Sequence, residues 1–313
     1  PGRGASLGMR RLDMNTHPVL SVLCLATGVL GMSCGSMTPA SAQSQVSVQV
    51  GGSRVSPPTD VDGEGAGFLV GGIQGSHYDH GGSGIMASLL VGKALDATSG
   101  GDFFSGVLEG TALRFLGHGW SGGMEVRGFG FRVEEPFPYR SLGLEGGPLI
   151  RFTNRFLSAT LKGLAGVGRS QTELRRTGRY PNEPVTDDLW RYGGSGEVLA
   201  GSRSLLAGIA IGIHESPGGS YRSGGLRLLA IRGDAALELR VDRWNTPLGG
   251  ETTGGLALVL PLGDWNLKGF LGRAEPDPLT LAEPDGGSAG VLVGRPVWTR
   301  DPLPPPRPPL HRV

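Results

Sequence analysis

Residues 235–244 read AALELRVDRW, and the fold turns on how that run is laid out in space. Leu237, Leu239 and Val241 alternate with Glu238, Arg240 and Asp242. A strand sends successive side chains to opposite faces, so one face here is wholly apolar and the other wholly charged. A single strand of this kind suits any half-solvated sheet. Its recurrence along the chain decides the matter.

Weaker copies follow the same period. Over 155–167, Leu157, Ala159, Leu161, Ala165 and Val167 share a side, with Ser158, Thr160 and Lys162 opposite and Leu164 as the exception. Over 204–214, Leu205, Ala207, Ile209, Ile211 and Ile213 face away from Gly208, Ala210 and Gly212. Leu256, Leu258, Leu260 and Leu262 repeat the spacing. The run 124–133 is mixed, because Glu125 and Arg127 share a parity with Phe129 and Phe131. Helix signals are poor, since Gly interrupts nearly every apolar segment.

The connections alternate in length. Thr153-Asn154, Gly201-Ser202-Arg203, Gly233-Asp234 and Gly263-Asp264 have hairpin-turn chemistry. Residues 79–82 and 117–121 take the same short role. Longer polar segments lie between them at 96–101, 134–138, 169–191, 215–220, 245–253 and 275–286. Apolar-out, polar-in strands joined by tight turns at one rim and longer loops at the other describe a transmembrane β-barrel. The reading is therefore all-β: an antiparallel up-and-down barrel of about fourteen strands, or twelve if segments such as 46–55 stay out of the wall.

Composition agrees. The 313 residues include 57 Gly and only 18 % charged residues, which fits neither a charged disordered chain nor a strict Gly-X-Y collagen repeat. Charge is balanced at 29 basic to 28 acidic residues, so no nucleic-acid partner is expected. No apolar run of helix-spanning length follows residue 42.

The first 42 residues read as a non-native lead followed by a cleaved signal peptide. Met9-Arg10-Arg11 gives a basic start, 19–32 an apolar core, and Ala40-Ser41-Ala42 an A-x-A site that places cleavage before Gln43. Ordinary n-region charge explains Arg10-Arg11 without a twin-arginine route. Both cysteines, Cys24 and Cys34, fall within this segment, so the mature chain has no thiol for catalysis, metal binding or disulfides. Residues 43–298 form the barrel, and 299–313 a proline-rich, extended tail.

Signal peptide, Gly-rich amphipathic strands and alternating turn lengths together resemble bacterial outer-membrane β-barrel proteins of the porin-like type. The resemblance is one of pattern over roughly residues 43–298 and reaches no particular family. It implies an outer-membrane location, lipid and the barrel-assembly machinery as partners, and a passive pore for small solutes. Such proteins commonly finish on an aromatic residue. Trp298 takes that place, with Pro296 beside it and the tail beyond as departures.

On this reading Lys162, Glu197, Glu238, Arg240, Asp242 and Lys268 line the lumen. Glu145 and Arg227 are further charges within strands, and Arg227 shares its parity with Leu229 and Ile231. Opposite charges on neighbouring strands could equally pair to fill the interior. Trp120, Trp190, Tyr192, Trp244, Trp265 and Trp298 fall near strand ends, where an aromatic ring suits the headgroup region.

Residues 76–82 (SHYDHGG) partly resemble the H-x-H-x-D-H motif of metallo-β-lactamase-fold hydrolases, but Gly75 stands where the first histidine belongs. Zinc needs three or four convergent ligands, so a polar turn is the better reading and no metal is expected. Gly65-Ala66-Gly67 with Gly71 has the wrong context for a dinucleotide site. His214 and Ser216 are the only hint of a rim hydrolase, and no acid/base spacing supports them. No enzyme activity and no cofactor are expected. The alternatives to a pore are that rim hydrolase and a secreted soluble all-β binding protein, whose apolar faces would pack into a sandwich core.

Overall fold

The computed structural model describes residues 43–55, 66–79, 83–95, 103–133, 139–173, 184–202, 204–233, 235–247, 249–273 and 287–300. They form fourteen strands: β1 (Gln43–Val55), β2 (Ala66–Tyr78), β3 (Gly84–Ala94), β4 (Phe103–Gly117), β5 (Trp120–Val133), β6 (Tyr139–Thr153), β7 (Leu157–Glu173), β8 (Pro184–Gly201), β9 (Leu205–Ser216), β10 (Gly219–Arg232), β11 (Ala235–Thr246), β12 (Gly249–Leu262), β13 (Trp265–Arg273) and β14 (Gly287–Arg300). Each strand pairs antiparallel with its chain neighbours, and β1 pairs with β14 to close the barrel. Because β1 is paired on both sides, the twelve-strand count is set aside. Closure removes the open edges that no bilayer tolerates. The lead and signal at 1–42, His80 and residues 301–313 lie outside the described residues.

The two faces of the wall differ as the β11 pattern requires. Outward side chains are large, apolar and open: Ile209 is 57 % exposed, Ile211 61 % and Leu226 65 %. Inward ones include Glu145 at 5 % and Asp242 at 2 %. A soluble sandwich would show the reverse, and a continuous apolar exterior of this kind is foreign to soluble monomers. On β9 the outward run Leu205, Ala207, Ile209, Ile211, Ile213 extends roughly 27 Å along the strand. At a tilt of about 40° that projects to roughly 20 Å, close to the apolar band of a membrane barrel.

One rim carries the expected tight turns. Gly233 and Gly263 adopt φ of 61° and 65°, a left-handed conformation that side chains with a Cβ resist. Asn154 accepts hydrogen bonds from the Phe156 and Leu157 amides, both at 2.8 Å, which fixes the turn between β6 and β7.

The other rim departs from expectation at three places. Segments 215–220 and 245–253 are not long loops. Strands β9 and β10 meet with only Pro217 and Gly218 between them, and only Pro247 and Leu248 separate β11 from β12. Ser216 and Thr246 close these turns, donating to the carbonyls of Gly219 (3.2 Å) and Gly249 (3.0 Å). Their polar residues lie on both faces: Ser216, Glu251 and Thr253 point inward, while Glu215 and Ser220, bonded to each other at 2.6 Å, lie on the outward face. Likewise 169–191 is mostly strand. Pairing of β7 with β8 continues to Glu173 and Pro184, with Arg169 bonded to Asp188 at 2.8 Å, while β8 meets β9 only from Tyr192 onward. That hairpin stands above β9, while β6 stays paired with β7 as far as Tyr139 opposite Thr172.

Candidate functional site: the inner wall of the barrel

Register partners on successive strands form rows that run perpendicular to the strands. Because barrel strands are tilted, such a row climbs the wall as it passes round it. One inward row reads Ser47, Gln74, Ser88, Glu109, Arg127, Glu145, Gly166, Arg191, from β1 to β8. It starts near the short-turn end of β1 and ends one residue above the point where β8 begins to pair with β9. Every member except Gly166 is polar or charged, and the charges alternate in sign.

The charged members bond to one another. Arg127 Nη1 donates to Glu145 Oε1 at 3.2 Å, and its Nε lies 3.9 Å from Glu109 Oε1. Arg191 Nη2 donates to Glu145 Oε2 across the gap left by Gly166. Glu145 thus holds a guanidinium with each carboxylate oxygen, which offsets the cost of its burial. Just below the row, Lys162 Nζ donates to Glu125 Oε2 at 2.6 Å.

The neighbouring inward row is of opposite character: Gln49, Gly72, Leu90, Val107, Phe129, Gly143, Gly168, Leu189. Large side chains here lie flat over glycines on the next strand. A Cβ at Gly143 would fall on the Phe129 ring, and one at Gly72 on Leu90. Phe270 covers Gly290 in the same way and joins Val70, Leu90, Leu292 and Ala257 in an apolar patch. This is a physical use for the high glycine content, an aromatic or aliphatic side chain covering its cross-strand glycine.

A second ionic group occupies the far wall. Arg227 Nη1 donates to both carboxylate oxygens of Asp242, at 2.8 and 2.9 Å, and its Nε is 3.5 Å from Glu197 Oε2. Glu238, Arg240 and Lys268 share the inward face, Lys268 in register between Val259 and Leu292. All six residues expected in the lumen therefore sit on the inner wall, and Arg227 joins them with Leu229 and Ile231.

Sequence reading left the faces of 124–133 unassigned. Glu125, Arg127 and Phe129 all point inward, and the Arg127 guanidinium lies 5.7 Å from the Phe129 ring centre. Glu109 and Arg191 were missed. Ser105, Val107, Glu109 and Thr111 alternate with outward Phe104 and Leu108, a period legible in the sequence. Arg191 sits between outward Trp190 and Tyr192 but was assigned to a loop.

Of the aromatic residues, Trp120 and Trp265 are outward at the short-turn rim, 48 % and 43 % exposed. Trp190 and Tyr192 are outward and stacked at 5.6 Å near the opposite rim. Trp244 departs from the group. It follows the parity of Asp242 into the interior, is 5 % exposed, and donates from Nε1 to Thr253 Oγ1 at 3.2 Å. Trp298 is carried by β14 opposite Val46, and its side chain falls outside the described residues.

Among the described residues no three metal-ligating side chains converge. His77 bonds Ser44 at 2.7 Å. His214 and Ser216 follow one another on the inward face of β9, where the Ser216 hydroxyl donates to the Gly219 carbonyl.

No protein-family model matches the sequence, and no curated protein matches it. Solved structures are similar in architecture. CdiB from Acinetobacter baumannii matches at 11 % identity and a TM-score of 0.42, over 82 % of this chain and 60 % of that one. The TodX deltaS2S3 mutant monoaromatic hydrocarbon channel matches at 9 % and 0.45, over 83 % and 91 %. A variant of Rh. blastica porin matches at 11 % and 0.33, over 81 % and 99 %. The chain spans about 60 % of the length of CdiB and 46 % of the siderophore receptor PirA from Pseudomonas aeruginosa. Likenesses of this degree assign no residue a role.

Proposed function

We propose that this chain is a bacterial outer-membrane barrel that passes ions and small polar solutes along its inner polar row. Delivery is by a signal peptide cleaved before Gln43, with insertion by the barrel-assembly machinery. The apolar exterior and the outward aromatics at both rims support a bilayer setting.

The observation that carries the reading is the row from Ser47 to Arg191. The row climbs the wall from Ser47, near the short-turn end of β1, to Arg191, at the height where β8 begins to pair with β9. Such a line lowers the cost of bringing a hydrated ion through an otherwise apolar sector. Its side chains cover one another closely, so the passage is narrow and suits small solutes rather than bulk flow. Barrel width does not forbid it, since width grows with strand number.

Glu125, just below the row, is best suited to a test. Its side chain is 34 % exposed, against 4 % for Glu145. Purified protein in a planar bilayer should give discrete currents, and Glu125→Gln should shift selectivity towards anions because a fixed negative charge is removed beside Lys162. The clasp of Glu145 by two arginines favours a second reading, a closed structural barrel whose charges serve only to fill it. Folded protein that stays silent in both forms would establish that reading and end the first.

A further inference from the structure

The inner wall near the short-turn rim is apolar between β9 and β12. Leu206 and Leu229 are direct cross-strand partners on β9 and β10. Ile231, Ala236 and Val259 form one register row across β10, β11 and β12. Pro261 lies one inward step nearer the rim on β12. All six share the inward parity of their strands, and none is closed off. Pro261 is exposed and the other five are half-buried.

This differs from the apolar interior elsewhere. Leu90 and Phe129 lie over cross-strand glycines and are each 2 % exposed. Ile231, Ala236 and Val259 have one another and Lys268 as register partners, with no glycine to receive them. A wet lumen is lined by polar side chains, so an open apolar strip within it calls for a cover.

Chain of a suitable kind begins at the same rim. Pro261 is level with Asn266 on β13, and Asn266 with Gly294 on β14. β14 then runs on to Arg300, so two strand spacings and six residues, roughly 22 Å, separate its end from Pro261. Residues 301–313 read DPLPPPRPPLHRV, and extended at ~3.1 Å per residue they reach about 40 Å. Asp301-Pro302 favours a turn where the chain leaves the strand. Proline has no N–H, so its burial leaves no backbone donor unpaired, and a polyproline helix loses little freedom on docking.

We propose that residues 301–313 turn back into the short-turn mouth and lay Pro308, Pro309 and Leu310 against Leu229, Ile231, Ala236, Val259 and Pro261. Arg307 and Arg312 flank that run and keep to its wet side. The tail is then the cover of the strip and narrows the mouth from that side. The inference holds whether or not the lumen conducts. It needs only that these side chains face an enclosed interior.

The test uses folded protein in detergent micelles, where both mouths are open to reagent, with heat-dependent gel migration as the check of folding. A chain starting at Gln43 has no cysteine, so Ala236→Cys reports on the strip, and Ser223→Cys, inward near the other rim, is the control. Each would be modified with a water-soluble maleimide in three backgrounds: the full chain, a chain ending at Arg300, and full-length Leu303→Asp/Leu310→Asp. Residue 236 should react at least about tenfold more slowly in the full chain than in either altered background, because a docked tail must leave before the thiol is reached. Residue 223 should react alike in all three. If the shortened chain does not fold, the doubly substituted chain, which keeps the tail's length, decides. Equal rates at residue 236 in every folded background would overturn the proposal. A full chain without heat-dependent migration would instead overturn the membrane reading.

Discussion

Glu145 on β6 and Arg191 on β8 bond to each other across an entire intervening strand, because the residue between them in register is Gly166. Any side chain there would stand between the two. Gly166→Val should therefore separate a buried ion pair and overpack the wall, a loss on the order of 3–5 kcal/mol. Gly224→Val is the control, since a Cβ at Gly224 meets open space. Urea midpoints for folding into lipid vesicles should fall for the first variant and stay put for the second.

The lie of Phe129 over Gly143 makes a second prediction. Gly143→Val drives a branched side chain into the ring and should cost about 1–3 kcal/mol. Phe129→Leu alone is also destabilising, but in the double variant the smaller side chain makes room for the valine. The two effects should be clearly non-additive in the same urea titration. Simple addition would mean that the ring does not rest on that glycine.

How far the barrel could be read from sequence varied with the wall. On β11 the faces separate cleanly into Leu237, Leu239, Val241 and Glu238, Arg240, Asp242, so strand, period and orientation were all legible. On β5 the inward set is Glu125, Arg127, Phe129, because an interior may hold an aromatic ring wherever a glycine on the next strand receives it. That pairing of Phe129 with Gly143 depends on register, which a single strand does not reveal. The same limit hid the polar row, since its members lie on eight strands and become neighbours only in the closed sheet. Polar inward residues near β9–β10 and β11–β12 were mistaken for loops for a related reason. In a barrel polarity marks the inside as well as the ends.

Face assignment on β11 predicts an asymmetry between adjacent residues. Leu239 is outward and 43 % exposed, while Arg240 lies over Gly255 inside. Leu239→Arg places a charge against lipid at a cost on the order of 2–4 kcal/mol. Arg240→Leu replaces one lumen side chain by another. Folding yield in vesicles, read from heat-dependent gel migration, should collapse for the first and hold for the second.

Processing gives a simpler prediction. The wall begins with β1 at Gln43, the residue that follows the A-x-A site. Protein isolated from outer membranes should start at Gln43 by mass spectrometry. Recovery of a chain that still contains the apolar segment 19–32 would contradict cleavage there.

The central claim is that one face of each strand meets lipid and the other an enclosed interior. A chain starting at Gln43 has no cysteine, so single thiols can be introduced on an otherwise natural background. Leu239→Cys and Ala257→Cys lie on β11 and β12, the first outward and the second inward opposite Glu238. Each would carry a small fluorophore in vesicles containing brominated lipid. The account predicts strong quenching at residue 239 and little at residue 257. Equal quenching at both positions, or none at residue 239, would contradict it.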